Sequence, residues 1–193
     1  EVLGDNTDVR VEATPPAPAE AADLDAQPDI GTKHFAEINA SMSAMTTVPM
    51  STPSVNQTFS QLKQQLPSVT DITSFLAANQ MAVTQLAIKY CDTLVESDSL
   101  RQAYFPQFDF SQPASTAFNG AARDGVITPI ITTMLGTDID TQADAALVRS
   151  EVEQLIDRLT QCSSTSSCDA QYTRTVTKAS CAAVLGSATM LIQ

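Results

Sequence analysis

The sequence has no tryptophan, one histidine and only six glycines, and its ten Lys and Arg face 22 Asp and Glu. Each shortage excludes something. With aromatics at 5% of the chain, the core must come from Leu, Ile, Val, Ala and Met, a mixture that suits helices better than a β-sandwich. A net charge of −12 repels phosphate backbones and anionic headgroups, so neither nucleic acid nor a membrane surface is expected as a partner. The glycines are scattered, with no phosphate-cradling loop. His34 stands alone, without a GxSxG elbow to supply a nucleophile, and reads as a surface or capping residue. CxxCH is missing, and no cysteines are spaced for a zinc site. No apolar run approaches the ~20 residues that a membrane span needs. We therefore expect a non-enzymatic protein with no cofactor and no metal. The chain does not begin with Met, which leads us to expect a processed chain or part of a longer one.

Four cysteines are present, Cys91, Cys162, Cys168 and Cys181, which allow three pairings. We favour Cys91–Cys181 and Cys162–Cys168. The second pair closes the short loop "CSSTSSC" between two helical patterns. Pairing Cys168 with Cys181 is disfavoured, because on one helix they would stand about 20 Å apart, whereas bridged Cα atoms lie within about 7 Å. Disulfides point to a periplasmic or extracellular location.

Charge is unevenly spread. Residues 1–31 hold eight acids and one base, a net −7, and the rest carries 14 acids and nine bases, a net −5. Most of this front segment, "TPPAPAEAADLDAQPDIG", has the composition of an extended, polyproline-like spacer. Val9 and Val11 alternate with polar residues as in a strand, but one too short to stand alone. Ordering such an arm costs about 1–2 kcal/mol per residue, with few apolar side chains to offset it, chiefly Val9, Val11, Leu24 and Ile30. Three outcomes stay open. The arm folds back on its own body, docks on a neighbouring subunit, or belongs to an upstream domain.

From Thr32 the pattern is helical. Phe35, Ile38, Met42 and Met45 form one stripe, and Val55, Phe59, Leu62 and Leu66 form a second. The strongest pattern runs from about Thr70 to Glu96, with Ile72, Phe75, Leu76, Asn79, Ala82, Val83, Leu86, Ala87, Tyr90 and Leu94 on a broad face. A further turn, "DSLRQAYFP", ends at Pro106. Residues 106–122 read as an irregular loop anchored by Phe105, Phe108, Phe110 and Phe118. "GVITPIITTMLG" reads as a short buried helix with Pro129 in its first turn, or as a short strand. Thr141 and Asp144 read as a capping box opening a helix striped by Leu147, Val148, Val152, Leu155, Ile156 and Leu159. The final helix turns small and apolar, and Ala182, Ala183, Gly186 and Ala188 suit close helix approach. The fold expected is all-α, a disulfide-stapled bundle of five or six helices over residues 32–193 with residues 1–31 as an extended N-terminal arm.

Two acidic groups offer carboxylates that calcium could use, Asp138/Asp140/Asp144 and Asp23/Asp25/Asp29. Neither has the spacing or central glycine of an EF-hand, and helix capping or a solvated face explains them better. The sequons at Asn39 and Asn56 fall inside predicted helices, which argues against glycan attachment.

The runs "FAEINASMSAMTTVP", "QLKQQLPSVTDITSFLAANQMAVTQLAIKYCDTLVES", "YFPQFDF" and "TRTVTKASCAAVLGSATMLIQ" resemble a helical four-cysteine segment of exported bacterial proteins that also carry a LamG (concanavalin-like) domain. The resemblance spans about residues 34–193. It implies an extracytoplasmic location and a non-catalytic role, and it supplies no site residues. This chain has no room for the LamG β-sandwich itself.

The expectation is an extracytoplasmic structural or assembly subunit, a homo-oligomer joined through its arm, with a filament as one form it can take. The alternative is a non-catalytic ligand-binding accessory module of a secreted multidomain protein. A cleft lined by Tyr104, Phe105, Phe108 and Phe110 would favour the alternative.

Overall fold

The computed structural model describes residues 33–66, 77–135, 143–161 and 168–187. Among them are eight α-helices and no strand: α1 Phe35–Thr46, α2 Pro53–Gln65, α3 Ala77–Glu96, α4 Asp98–Tyr104, α5 Ala114–Ala117, α6 Asp124–Met134, α7 Ala145–Leu159 and α8 Ala170–Leu185. The described residues are all-α, with more helices than the five or six expected. The additions are short. Ser97 accepts from the Leu100 N–H and starts α4 as a separate helix, and α5 is a four-residue turn inside the aromatic loop.

The long α3 and the C-terminal α8 pack together at the centre of the bundle. α1 and α2 lie against α3, while α5, α6 and α7 lie against α8. The expected stripes make these contacts. Ile38, Met42, Val55, Leu62, Val83, Leu86, Tyr90 and Leu94 are all buried. A buried polar tie joins α3 to α1: the Tyr90 hydroxyl donates to Asn39 Oδ1 at 2.7 Å. Burial pushes the Tyr90 phenol up to about 12, with Ser43 pulling the other way, so it stays a neutral donor. Asn39 is buried and held by this bond, which leaves its sequon inaccessible.

α1 closes on Thr47, whose φ of 58° is left-handed, a costly backbone for a β-branched residue. The turn is held by the Ser43 hydroxyl donating to the Val48 carbonyl at 2.7 Å and by complete burial of Val48. α2 opens with Pro53 at its first position, where a missing N–H costs nothing.

Four expectations need correction. α6 is a helix throughout, which disposes of the strand alternative, but Pro129 sits inside it rather than in its first turn. A 3-10 turn, Gly120–Arg123, runs directly into Asp124 and starts the helix earlier. The N–H that proline lacks is the one an unbroken helix aims at Gly125, and both residues border an open hollow. Asp144 is the N-cap of α7, not its third residue: its carboxylate accepts from Ala146 N–H at 2.6 Å, where an acid also favours the helix dipole. Thr141 lies outside the described residues. Leu147 is 69% exposed, because the buried face of α7 follows Val148, Val152 and Ile156 and Leu147 falls at its edge. On α8, Ala183 is likewise exposed, and close approach belongs to Gly186.

Candidate functional site

The centre of the molecule is covalent. Cys91 of α3 and Cys181 of α8 form a disulfide with Cα atoms 5.8 Å apart, joining positions 90 residues apart in sequence. Both are fully buried. Cys168 is also disulfide-bonded, and Cys162, its expected partner, lies outside the described residues.

One turn beyond the disulfide, the α3–α8 seam becomes ionic. Lys178 Nζ donates to Asp92 and meets Glu96, each at 2.6 Å, and Arg174 stands 3.6 Å from Glu96. The hydrogen bond from Lys178, opposed by burial, holds the Glu96 carboxyl below its usual range. Burial works against the Lys178 charge, but its bonds to Asp92 and Glu96 prevail and raise its pKa.

The aromatic loop is closed rather than cleft-like. Phe105, Phe108 and Phe118 are buried. Phe105 and Phe110 meet with centroids 5.8 Å apart, Phe108 and Phe110 at 4.8 Å, and Phe108 and Phe118 at 4.9 Å. Tyr104 packs edge-on against Phe105; burial raises its phenol, with Thr133 lowering it in part. The rings fill the bundle as anchors, which takes away the cleft that would have favoured ligand binding. Sequence reasoning missed the residue that fastens them. Arg101, 7% exposed, donates to the Val95 carbonyl at 2.6 Å, pairs with Asp98 and covers the Phe110 ring at 5.3 Å. A lone Arg on a short helix carries no periodic signal for such a role. The remaining hollow nearby, about 400 Å³ and open to solvent, is lined by backbone-rich residues including Pro106, Gly125, Thr128 and Pro129.

The other end of α3 is different in kind. Its first twelve residues, Ala77 to Ile88, carry no charge, and α2 beside it carries only Lys63. Between the two helices runs a groove of about 120 Å³ lined by Leu62, Leu66, Ala78, Met81, Ala82 and Gln85. Met81 is 60% exposed and Ile88, two turns on, is 52% exposed. This is the candidate site: a face with exposed apolar side chains and, among the described residues, no acid, on a strongly acidic protein.

The expected docking residues Val9, Val11, Leu24 and Ile30 lie outside the described residues, as do Asp138 and Asp140. Among the described residues no three His, Cys, Asp or Glu side chains cluster as for a metal, and no helix is long and apolar enough to cross a membrane. His34 is the N-cap of α1 and its backbone N–H donates to Glu37 at 2.7 Å.

Compared with protein-family models, with curated proteins and with solved structures, the chain finds no match.

Proposed function

We propose that the protein is an extracytoplasmic, non-catalytic assembly subunit whose N-terminal arm docks on a neighbouring subunit, in an oligomer or a filament. The observation that carries the reading is the acid-free face formed by the described residues of α2 and the first twelve residues of α3. Met81 and Ile88, exposed on one face of α3, suit a contact surface, and Lys63 as the single charged side chain of α2 and the first twelve residues of α3 suits protein contact better than proton transfer or metal binding. The Cys91–Cys181 disulfide supports a periplasmic or extracellular setting, as does the resemblance to exported four-cysteine segments. A head-to-tail arm contact that does not close on itself generates a filament, and one that closes generates a ring.

Deleting residues 1–31 and comparing the mass in solution of the shortened and full-length proteins tests this. The full-length protein is expected as an oligomer and the shortened one as a monomer. Identical masses overturn the reading.

A further inference from the structure

We propose that the groove between α2 and α3 is the seat of the arm's Leu24–Ile30 stretch. This deepens the reading above and rests on it in one respect, that the arm docks at all. Charge is the first reason. Residues 1–31 carry a net −7. α7 carries Glu151, Glu153 and Asp157 with Arg149 and Arg158, a net −1, whereas α2 and the first twelve residues of α3 together carry Lys63 alone, a net +1. Among the described residues that line the groove none is an acid, and Lys63 stands on α2.

Position is the second reason. The described chain starts at Lys33, and Phe35 stacks on Phe59 of α2 with ring centroids 5.3 Å apart. The root of the arm is therefore beside α2. Leu62 and Leu66 follow Phe59 along that helix by about 5 and 10 Å. Ile30 is five residues before Phe35 and Leu24 eleven, reaches of about 16 and 36 Å when extended. The groove is within range of its own arm and open to another copy's.

Shape is the third. A pocket of about 150 Å³ takes a benzene-sized group, so this groove of about 120 Å³ accepts one aliphatic side chain over Leu62 and Ala82. Ile88 offers a second exposed apolar contact further along α3. Leu24 and Ile30 are six residues apart, an even number for a strand and two turns of a polyproline helix, so either backbone turns both side chains the same way.

The test is photo-crosslinking in the full-length protein from a benzoylphenylalanine replacing Met81, with Leu147 on α7 replaced in the same way as the control. The expected result is attachment of position 81 to a peptide within residues 20–32, none from position 147, and loss of the attachment when Leu24 and Ile30 are both changed to Asp. The size of the crosslinked species on a denaturing gel reports whose arm is bound. Dimer size places a neighbour's arm in the groove and supports both proposals. Monomer size places the chain's own arm there, which keeps the groove assignment and overturns the neighbouring-subunit reading. No attachment, attachment only outside the arm, or attachment that survives the Asp substitutions overturns the groove assignment, even if removing residues 1–31 dissociates an oligomer.

Discussion

The two halves of α3 sit on one continuous helix and are finished in opposite ways. Its second half is tied by the chain itself: Cys91 to Cys181, Asp92 and Glu96 to Lys178. Across the same seam its first half makes a neutral hydrogen bond, Gln80 Nε2 to the Gly186 carbonyl at 3.0 Å, and leaves Met81 and Ile88 in solvent. Stability is concentrated at one end and unspent apolar surface at the other. A helix that served only the core would have no reason for the difference. A helix that holds its body together with one half and offers the other to a further segment would show this asymmetry.

The largest effect that would break the comparison lies at the disulfide. Replacing Cys91 and Cys181 together by Ala is expected to lower unfolding free energy by about 4–5 kcal/mol, the loop-closure value for a bridge spanning close to 100 residues. Urea unfolding at neutral pH measures it. A loss below about 1 kcal/mol, the scale of a surface substitution, would mean that the second half of α3 is held by packing alone and that the two halves differ less than their chemistry implies.

A smaller effect probes the first half, where close approach replaces covalent and ionic ties. A Cβ added at Gly186 would lie 2.9 Å from the Ala182 carbonyl, 3.4 Å from the Ala87 Cβ and 3.5 Å from the Thr84 Cα. These are backbone and a short side chain, with no flexible end to move aside. Gly186→Ala is expected to cost about 1–3 kcal/mol as overpacking, read from the urea midpoint, and to weaken the Gln80 bond by pushing α8 outward. A neutral outcome would show that the first half of the seam is loosely packed as well as uncharged.

How far these features were legible in the sequence follows their range. The stripes of α1, α2 and α3 were readable because apolar residues recur with the helical period, and the Cys91–Cys181 pairing was favoured because Cys162 and Cys168 close a short loop of their own and helix geometry disfavours Cys168–Cys181. Phe105, Phe108 and Phe118 were legible as anchors because a loop with few other apolar residues must bury its rings. What escaped depends on a single atom or on where a helix begins. Arg101 is buried because one carbonyl, that of Val95, needs a donor. Pro129 moved into the helix interior because a 3-10 turn lies before α6. Leu147 fits the period of α7 but falls at the rim of the buried face. The groove was invisible for another reason: Leu62 and Leu66 were read as core for α2, Ala82 as core for α3, and nothing in either stripe says that the helices part between them. The arm residues, the starting point for function, lie outside the described residues.

The smallest effect sharpens the ionic side of the comparison through pH. The Glu96 carboxyl is held below its ordinary value of 4.5, so its contribution is fully present above that pH and is lost as pH falls through the folded-state value. Lys178 is held above its ordinary 10.5, so its contribution is fully present below that pH and is lost as pH rises through the folded-state value. Together they give a plateau of stability between the two ordinary values, with falls at both ends. Lys178 keeps 23% of its side chain exposed and Glu96 41%, so solvent screens the pair and each contact is worth about 0–1 kcal/mol. Lys178→Met keeps most of the buried stem and removes the charge. It is expected to lower the midpoint of thermal unfolding slightly at neutral pH and to flatten both falls, the alkaline one more completely because Glu96 keeps Arg174. Added salt should shrink the difference between the two proteins. If the Met variant retains the same acid and alkaline profile as the parent, the charges on the second half of α3 do not hold the seam, and the contrast with the uncharged first half rests on the disulfide alone.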